Sequence, residues 1–138
     1  MMALIITILY LFNPLQIPDQ WQVLFENDQI KIEKMQSDCL DAVNGINQSK
    51  ILLKFTNKTT AKLKISYEKK LIYTLDSGND KDTKTDRTYD VILEAGQSKQ
   101  GTCENRDKNL FVFEKYLDRS ASELKKYELI NIKTQTVE

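Results

Sequence analysis

Histidine is absent from the 138-residue chain. That removes the side chain that most often ligates metals and most often acts as a general acid or base near neutral pH. A Ser-His-Asp triad, a Cys-His dyad and a His-based zinc site are excluded with it. Net charge of one sign is missing too: 20 Lys and Arg balance 20 Asp and Glu. A nucleic-acid-binding domain shows a basic excess, so no specific nucleic acid binding is expected. The only two cysteines, Cys39 and Cys103, lack the C-x-x-C spacing of a thioredoxin-like redox centre. No run has the length of a helix that would cross between parallel strands, which leaves antiparallel pairing.

What is present begins with an apolar tract. Met1 to Phe12 (MMALIITILYLF) carries no charge, and the first charged residue is Asp19. Such a tract matches the apolar core of a secretory signal. It falls short of the roughly 20 apolar residues that span a bilayer. No basic residue precedes it and no A-x-A-like cleavage site follows, so a retained anchor or a buried element of the fold are the alternatives. Residues 1–20 are read as an export segment and 21–138 as a single domain. In an exported protein Cys39 and Cys103 are expected to pair, because oxidising compartments preserve disulfides. Closing a loop of that length restricts the unfolded chain by about 4 kcal/mol in the entropy model.

The remainder alternates with the period of two that marks strands. Ile51, Leu53 and Phe55 share one phase; after Asn57-Lys58-Thr59-Thr60, Ala61, Leu63, Ile65 and Tyr67 share another. The spacing predicts a hairpin over 51–67 at the centre of the fold. Val23 and Phe25 predict a first strand, and Ile30 and Ile32 a second, with Met35 out of phase as at a bulge. The polar stretch 37–50 reads as a loop pinned by Cys39, with room for one helical turn. Residues 76–87 (DSGNDKDTKTDR) contain no apolar side chain and read as a solvated loop. Tyr89, Val91 and Leu93 alternate again; Leu110 to Leu117 is apolar on both faces, as in a central strand. Ser120 and Glu123 have capping-box spacing for a short helix, or else lie in a connecting loop. Ile130, Ile132 and Thr134 predict a last strand. The total is seven or eight strands in an all-β, antiparallel β-sandwich.

Several groups of residues are candidates for chemistry. Asp76, Asp80 and Asp82 flank Gly78, but the spacing is not that of an EF-hand and no downstream Glu supplies a bidentate ligand; no metal or cofactor is expected. Lys50, Lys54, Lys58, Lys62, Lys64, Lys69 and Lys70 are opposed only by Glu68. Lys54, Lys62 and Lys64 would share the outer face of the hairpin, a surface for an anionic partner or a solvated face that resists edge-to-edge aggregation. Asn47-Gln48-Ser49 and Asn57-Lys58-Thr59 match the glycosylation sequon, which would put both asparagines on the surface of a eukaryotic secreted protein. The strand tyrosines, at positions alternating with Leu and Ile, read as packing residues.

Phe55, Asn57 and Thr59 form F-x-N-x-T, and Leu93, Gly96 and Ser98 form L-x-x-G-x-S. With these motifs the chain resembles bacterial immunoglobulin-like and fibronectin-III-like sandwiches, and is similar to small exported single-domain proteins of Bacteroidetes-type bacteria. Cys39 and Cys103 fall at strand ends, and Trp21 comes too early to pack on an antibody-type disulfide, so an antibody-type domain is not implied. The resemblance implies an immunoglobulin-like fold. The function expected is a non-enzymatic binding or structural module of the periplasm or cell surface, whose partner would be a protein or an anionic surface polymer. The alternative is a small exported hydrolase or enzyme inhibitor acting through loop residues, since paired carboxylates hydrolyse glycosides without histidine.

Overall fold

Alternating side chains give this chain two antiparallel sheets packed face to face, the sandwich that the periodicity predicts. The computed structural model describes residues 20–41, 43–84 and 87–138, so the expected export segment lies outside the described residues except for Gln20. Nine strands are described: β1 (Gln22–Glu26), β2 (Ile30–Asp41), β3 (Ile46–Asn57), β4 (Leu63–Thr74), β5 (Asp80–Lys84), β6 (Tyr89–Leu93), β7 (Ser98–Gln100), β8 (Phe111–Tyr116) and β9 (Glu123–Thr136). Periodicity undercounts them because β5 and β7 are short, polar and held mainly by backbone pairing.

Each sheet is built around one long strand. β3 pairs with β2 over its whole length on one side; on the other it pairs first with β8 and then with β7. β1 adds to the outside of β2. In the second sheet β4 pairs with β9 on one side, and with β6 and then β5 on the other. β8 is thus a flanking strand, not a central one, and the central positions belong to β3 and β4.

The predicted 51–67 hairpin is not formed: its two arms, β3 and β4, lie in different sheets. A period of two specifies which face of a strand is buried but not which strand it pairs with. The connection is an arch held by Asn57, which is fully buried. Its Nδ2 donates to the carbonyls of Ala61 (2.7 Å), Leu93 (3.2 Å) and Glu94 (3.0 Å), and its Oδ1 accepts from Thr59 N (2.9 Å) and Oγ1 (2.8 Å). Asn57 is therefore not the surface residue that its sequon implies.

The hairpins lie where the sequence is polar. Residues 37–50, expected to be a loop, are mostly strand: β2 and β3 pair in unbroken register from Ile30↔Asn57 to Asp41↔Ile46. Gly45 lies in the turn with φ +66°, a conformation that glycine adopts without strain. Met35 sits in register opposite Leu52, so the expected bulge is absent there. A register shift occurs instead between Val23 and Phe25 of β1. It turns Leu24 and Phe25 towards the core and leaves Val23 54% exposed. The acidic stretch 76–87 contributes β5, paired with the end of β4. Residues 120–122 form a connection, with Ser120 Oγ donating to Asp76 (3.1 Å), and no helix opens there.

The core lies between the sheets. Ile30, Ile32, Leu53 and Phe55 from one sheet meet Leu63, Ile65, Tyr67, Val91 and Leu93 from the other. The Tyr67 ring stacks between Phe55 and Tyr89, with ring centroids 5.4 Å away on each side. Burying one such side chain contributes about 1.5–3 kcal/mol, and an aromatic pair about 0.5–1.5 kcal/mol more. Register shifts in β9 keep Leu124, Tyr127, Leu129 and Ile132 facing this core despite uneven spacing, with Asn131 at φ 52° within one of them.

Candidate binding site beneath a disulfide-tethered loop

Between β7 and β8 the chain leaves β3 and returns to it. Gly101 N donates to Leu53 O (2.8 Å), and a Cβ on Gly101 would run into the Leu110 carbonyl oxygen. The two ends of loop 102–109 therefore meet, as in an Ω-loop. Polar side chains wind it: Thr102 Oγ1 accepts from Asn105 N (3.1 Å), Asn105 Oδ1 from Asp107 N (2.9 Å), and Asp107 Oδ1 from Asn109 N (2.9 Å).

Two anchors hold the loop to the sandwich. The Cys39–Cys103 disulfide forms, with the two Cα atoms 5.2 Å apart. Cys39 pairs with Gln48 and Ser37 with Lys50, so Cys39 lies on the face of β2–β3 that carries Gln48, Lys50 and Leu52, opposite to the core residues. The disulfide thus draws the loop over the outer face of this sheet. The second anchor comes from β4. Lys69 occupies an inward position between Tyr67 and Leu71, and its Nζ donates to Lys108 O (2.6 Å) and Phe111 O (2.8 Å), 4.0 Å from the Tyr89 ring centroid. Tyr67 Oη donates to Asn109 O. Burial raises the Tyr67 phenol well above its ordinary pKa, which keeps it a donor. Burial, with the charges of Arg87 and Lys108 behind it, lowers Lys69 to about 8.

The loop and the sheet enclose an open cleft of about 590 Å³. Leu40, Asp41, Gln48 and Lys50 line it from the sheet, Glu104, Arg106 and Lys108 from the loop, with Phe111 and the disulfide between. Lys50 is only 3% exposed, and its Nζ lies 4.2 Å from the Phe111 ring centroid. Among the described residues no carboxylate lies within ion-pair distance of this ammonium and no acceptor takes a hydrogen bond from it. Burial lowers its pKa, the Arg106 charge lowers it further, and Glu104 opposes them. Asp41 is held below the ordinary carboxylate range by hydrogen bonds from the Asn44 side chain and backbone (Nδ2, 2.7 Å). Three cations, Lys50, Arg106 and Lys108, face two anions, Asp41 and Glu104, which leaves the lining one positive charge.

The lysines singled out from the sequence do not come together. Lys54 lies on β3, with Trp21 beside it (Nζ to ring centroid 5.8 Å). Lys64 lies on β4 of the other sheet, and Lys62 just before β4 pairs with Glu94 at 3.6 Å. Because the arms face each other across the core, their outward side chains point to opposite surfaces of the sandwich. Lys54 is thereby separated from Lys62 and Lys64, which stand two positions apart at the start of β4, so the three do not form one face. Lys50 and Lys69 belong to the same lysine run. Lys69 has a readable signal, since it keeps the phase of Leu63, Ile65, Tyr67 and Leu71. Lys50 has a weaker one: Leu52, apolar on the outward phase between Lys50 and Lys54, marks a strip of outer face that something covers. Of the acidic stretch, Asp80 accepts from Thr74 (3.0 Å) and Lys125 (2.6 Å). Among the described residues no group of three or more acidic or cysteine side chains is placed to hold a metal. Compared with known proteins, the chain matches no protein-family model, no curated protein and no solved structure.

Proposed function

We propose that this chain is an exported, immunoglobulin-like binding module without catalytic activity, acting in the periplasm or at the cell surface, and that it binds through the cleft under loop 102–109. One observation carries this reading: a lysine 3% exposed lines the cleft with no protein anion paired to it among the described residues. Desolvating an ammonium without a directly paired anion costs folding free energy, and a bound anion would recover it. The disulfide supports the export half, because such bonds persist in oxidising compartments. The phrases F-x-N-x-T and L-x-x-G-x-S support the immunoglobulin-like half, since Asn57 bonds the carbonyls of Leu93 and Glu94 and so ties the two phrases together.

The hydrolase alternative has less behind it. Glycoside hydrolysis by two carboxylates needs one of them protonated, with its pKa raised. Asp41, held low by Asn44, could serve only as the ionised member of such a pair and not as its proton donor. The test is to incubate the secreted chain with panels of chromogenic glycosides and esters. No turnover above buffer is expected. Turnover removed by Asp41→Asn or Glu104→Gln would overturn the binding-only reading.

A further inference from the structure

The cleft's lining also bears on the ligand, and this step rests on the binding reading above. We infer that the site takes an organic monocarboxylate with an apolar body, its carboxylate seated on the Lys50 ammonium and the Arg106 guanidinium, its body against Phe111 and the Cys39–Cys103 sulfurs.

Three features select this class. The first is charge. With Asp41 and Glu104 in the same lining as three cations, the cleft neutralises one negative charge, and a dianion such as phosphate would meet carboxylate repulsion. The second is surface. Phe111, paired with Leu52 on the outward face, lines the cleft together with the disulfide. A small hydrophilic anion would leave that apolar wall in water, whereas an apolar body covers it. The third is size: about 590 Å³ lies within the span of small-molecule sites. Lys50 sits deep and Arg106 is on the exposed loop, so the carboxylate enters towards the floor while the guanidinium closes over it.

The test is a titration of the ¹⁵N-labelled chain, secreted with its disulfide intact, followed by amide shifts at neutral pH. The probes are 4-phenylbutyrate, acetate and inorganic phosphate. Saturable shifts with 4-phenylbutyrate are expected at residues 103–108 and at Lys50, with acetate and phosphate each binding more weakly. Lys50→Met should weaken 4-phenylbutyrate about tenfold or more, the loss of one charge-assisted hydrogen bond. Arg106→Gln should weaken it several-fold, and it lies on an exposed loop, so it reports even if Lys50→Met fails to fold. Phosphate binding as tightly as 4-phenylbutyrate overturns the monocarboxylate class. No saturable shift with 4-phenylbutyrate, or affinity unchanged in both variants, overturns the site. Turnover of a chromogenic substrate would bear on the non-enzymatic reading alone, so the two ideas fail separately.

Discussion

Lys69 and Lys50 are both buried in long strands with the ammonium over an aromatic ring, yet their surroundings complete them differently. Lys69 has the Tyr89 ring and the carbonyls of Lys108 and Phe111, which saturate it from within the protein. Lys50 has the Phe111 ring and an open cleft. Burial depresses the pKa of both. What separates Lys69 from Lys50 is therefore not depth but whether backbone acceptors have already used the protons of the ammonium. Loop 102–109 and its junction with β8 create both situations: the Lys108 and Phe111 carbonyls close off Lys69 on one side, while the loop's side chains leave room above Lys50 on the other.

The strongest way to break this contrast is to release the loop. Cys39→Ser with Cys103→Ser should lower unfolding free energy by about 4 kcal/mol, read by urea denaturation. It should also abolish binding at Lys50 while leaving Lys69 anchored. Next in size is a pH effect. Lys69 has a pKa of about 8 in the folded chain against an ordinary 10.5. The unfolded state then holds more protons between those values, so stability should rise as pH increases from 8 to 10.5, by up to about 3 kcal/mol. Lys69→Met should flatten that rise; an equal rise in the variant would remove Lys69 as its source. A pairwise test is smaller. Lys69→Met should cost about 2 kcal/mol more than Lys50→Met, because only the former leaves two carbonyls without their donor. Equal costs would mean that the two lysines are equivalent after all. The smallest effect serves as the control: Lys54→Gln and Lys64→Gln should each change stability by no more than about 0.5 kcal/mol. Their effects on binding an anionic polymer should be independent of each other, since they occupy different sheets.

The sandwich was legible from the phase of Ile51, Leu53, Phe55, Leu63, Ile65 and Tyr67, because burial on one face of a strand writes itself directly into alternation. Partner choice was not legible. β2 and β3 pair through backbone groups that any sequence supplies, so the polar residues 37–50 looked like a loop, and Asn57 looked like turn chemistry rather than a buried hub. The disulfide was legible from two cysteines and an apolar N-terminal tract. The cleft was not, because it exists only where loop 102–109 crosses strands more than 50 positions earlier in the chain. Lys50 is buried by that crossing, and nothing in its own strand records the burial except Leu52.

The arch at Asn57 has a kinetic consequence. Two of its side-chain bonds reach residues 36 and 37 positions downstream, so the arch cannot close while only its own neighbourhood is ordered. The β2–β3 and β4–β5 hairpins need no such partner and are the units able to form early, since short loops close at little entropic cost. Asn57 then acts as a late latch that joins two half-made sheets. Replacing it with Ala should speed unfolding and leave the refolding rate nearly unchanged, a φ-value close to zero by stopped-flow. The residue that most defines the topology would thus protect the finished molecule without guiding its assembly.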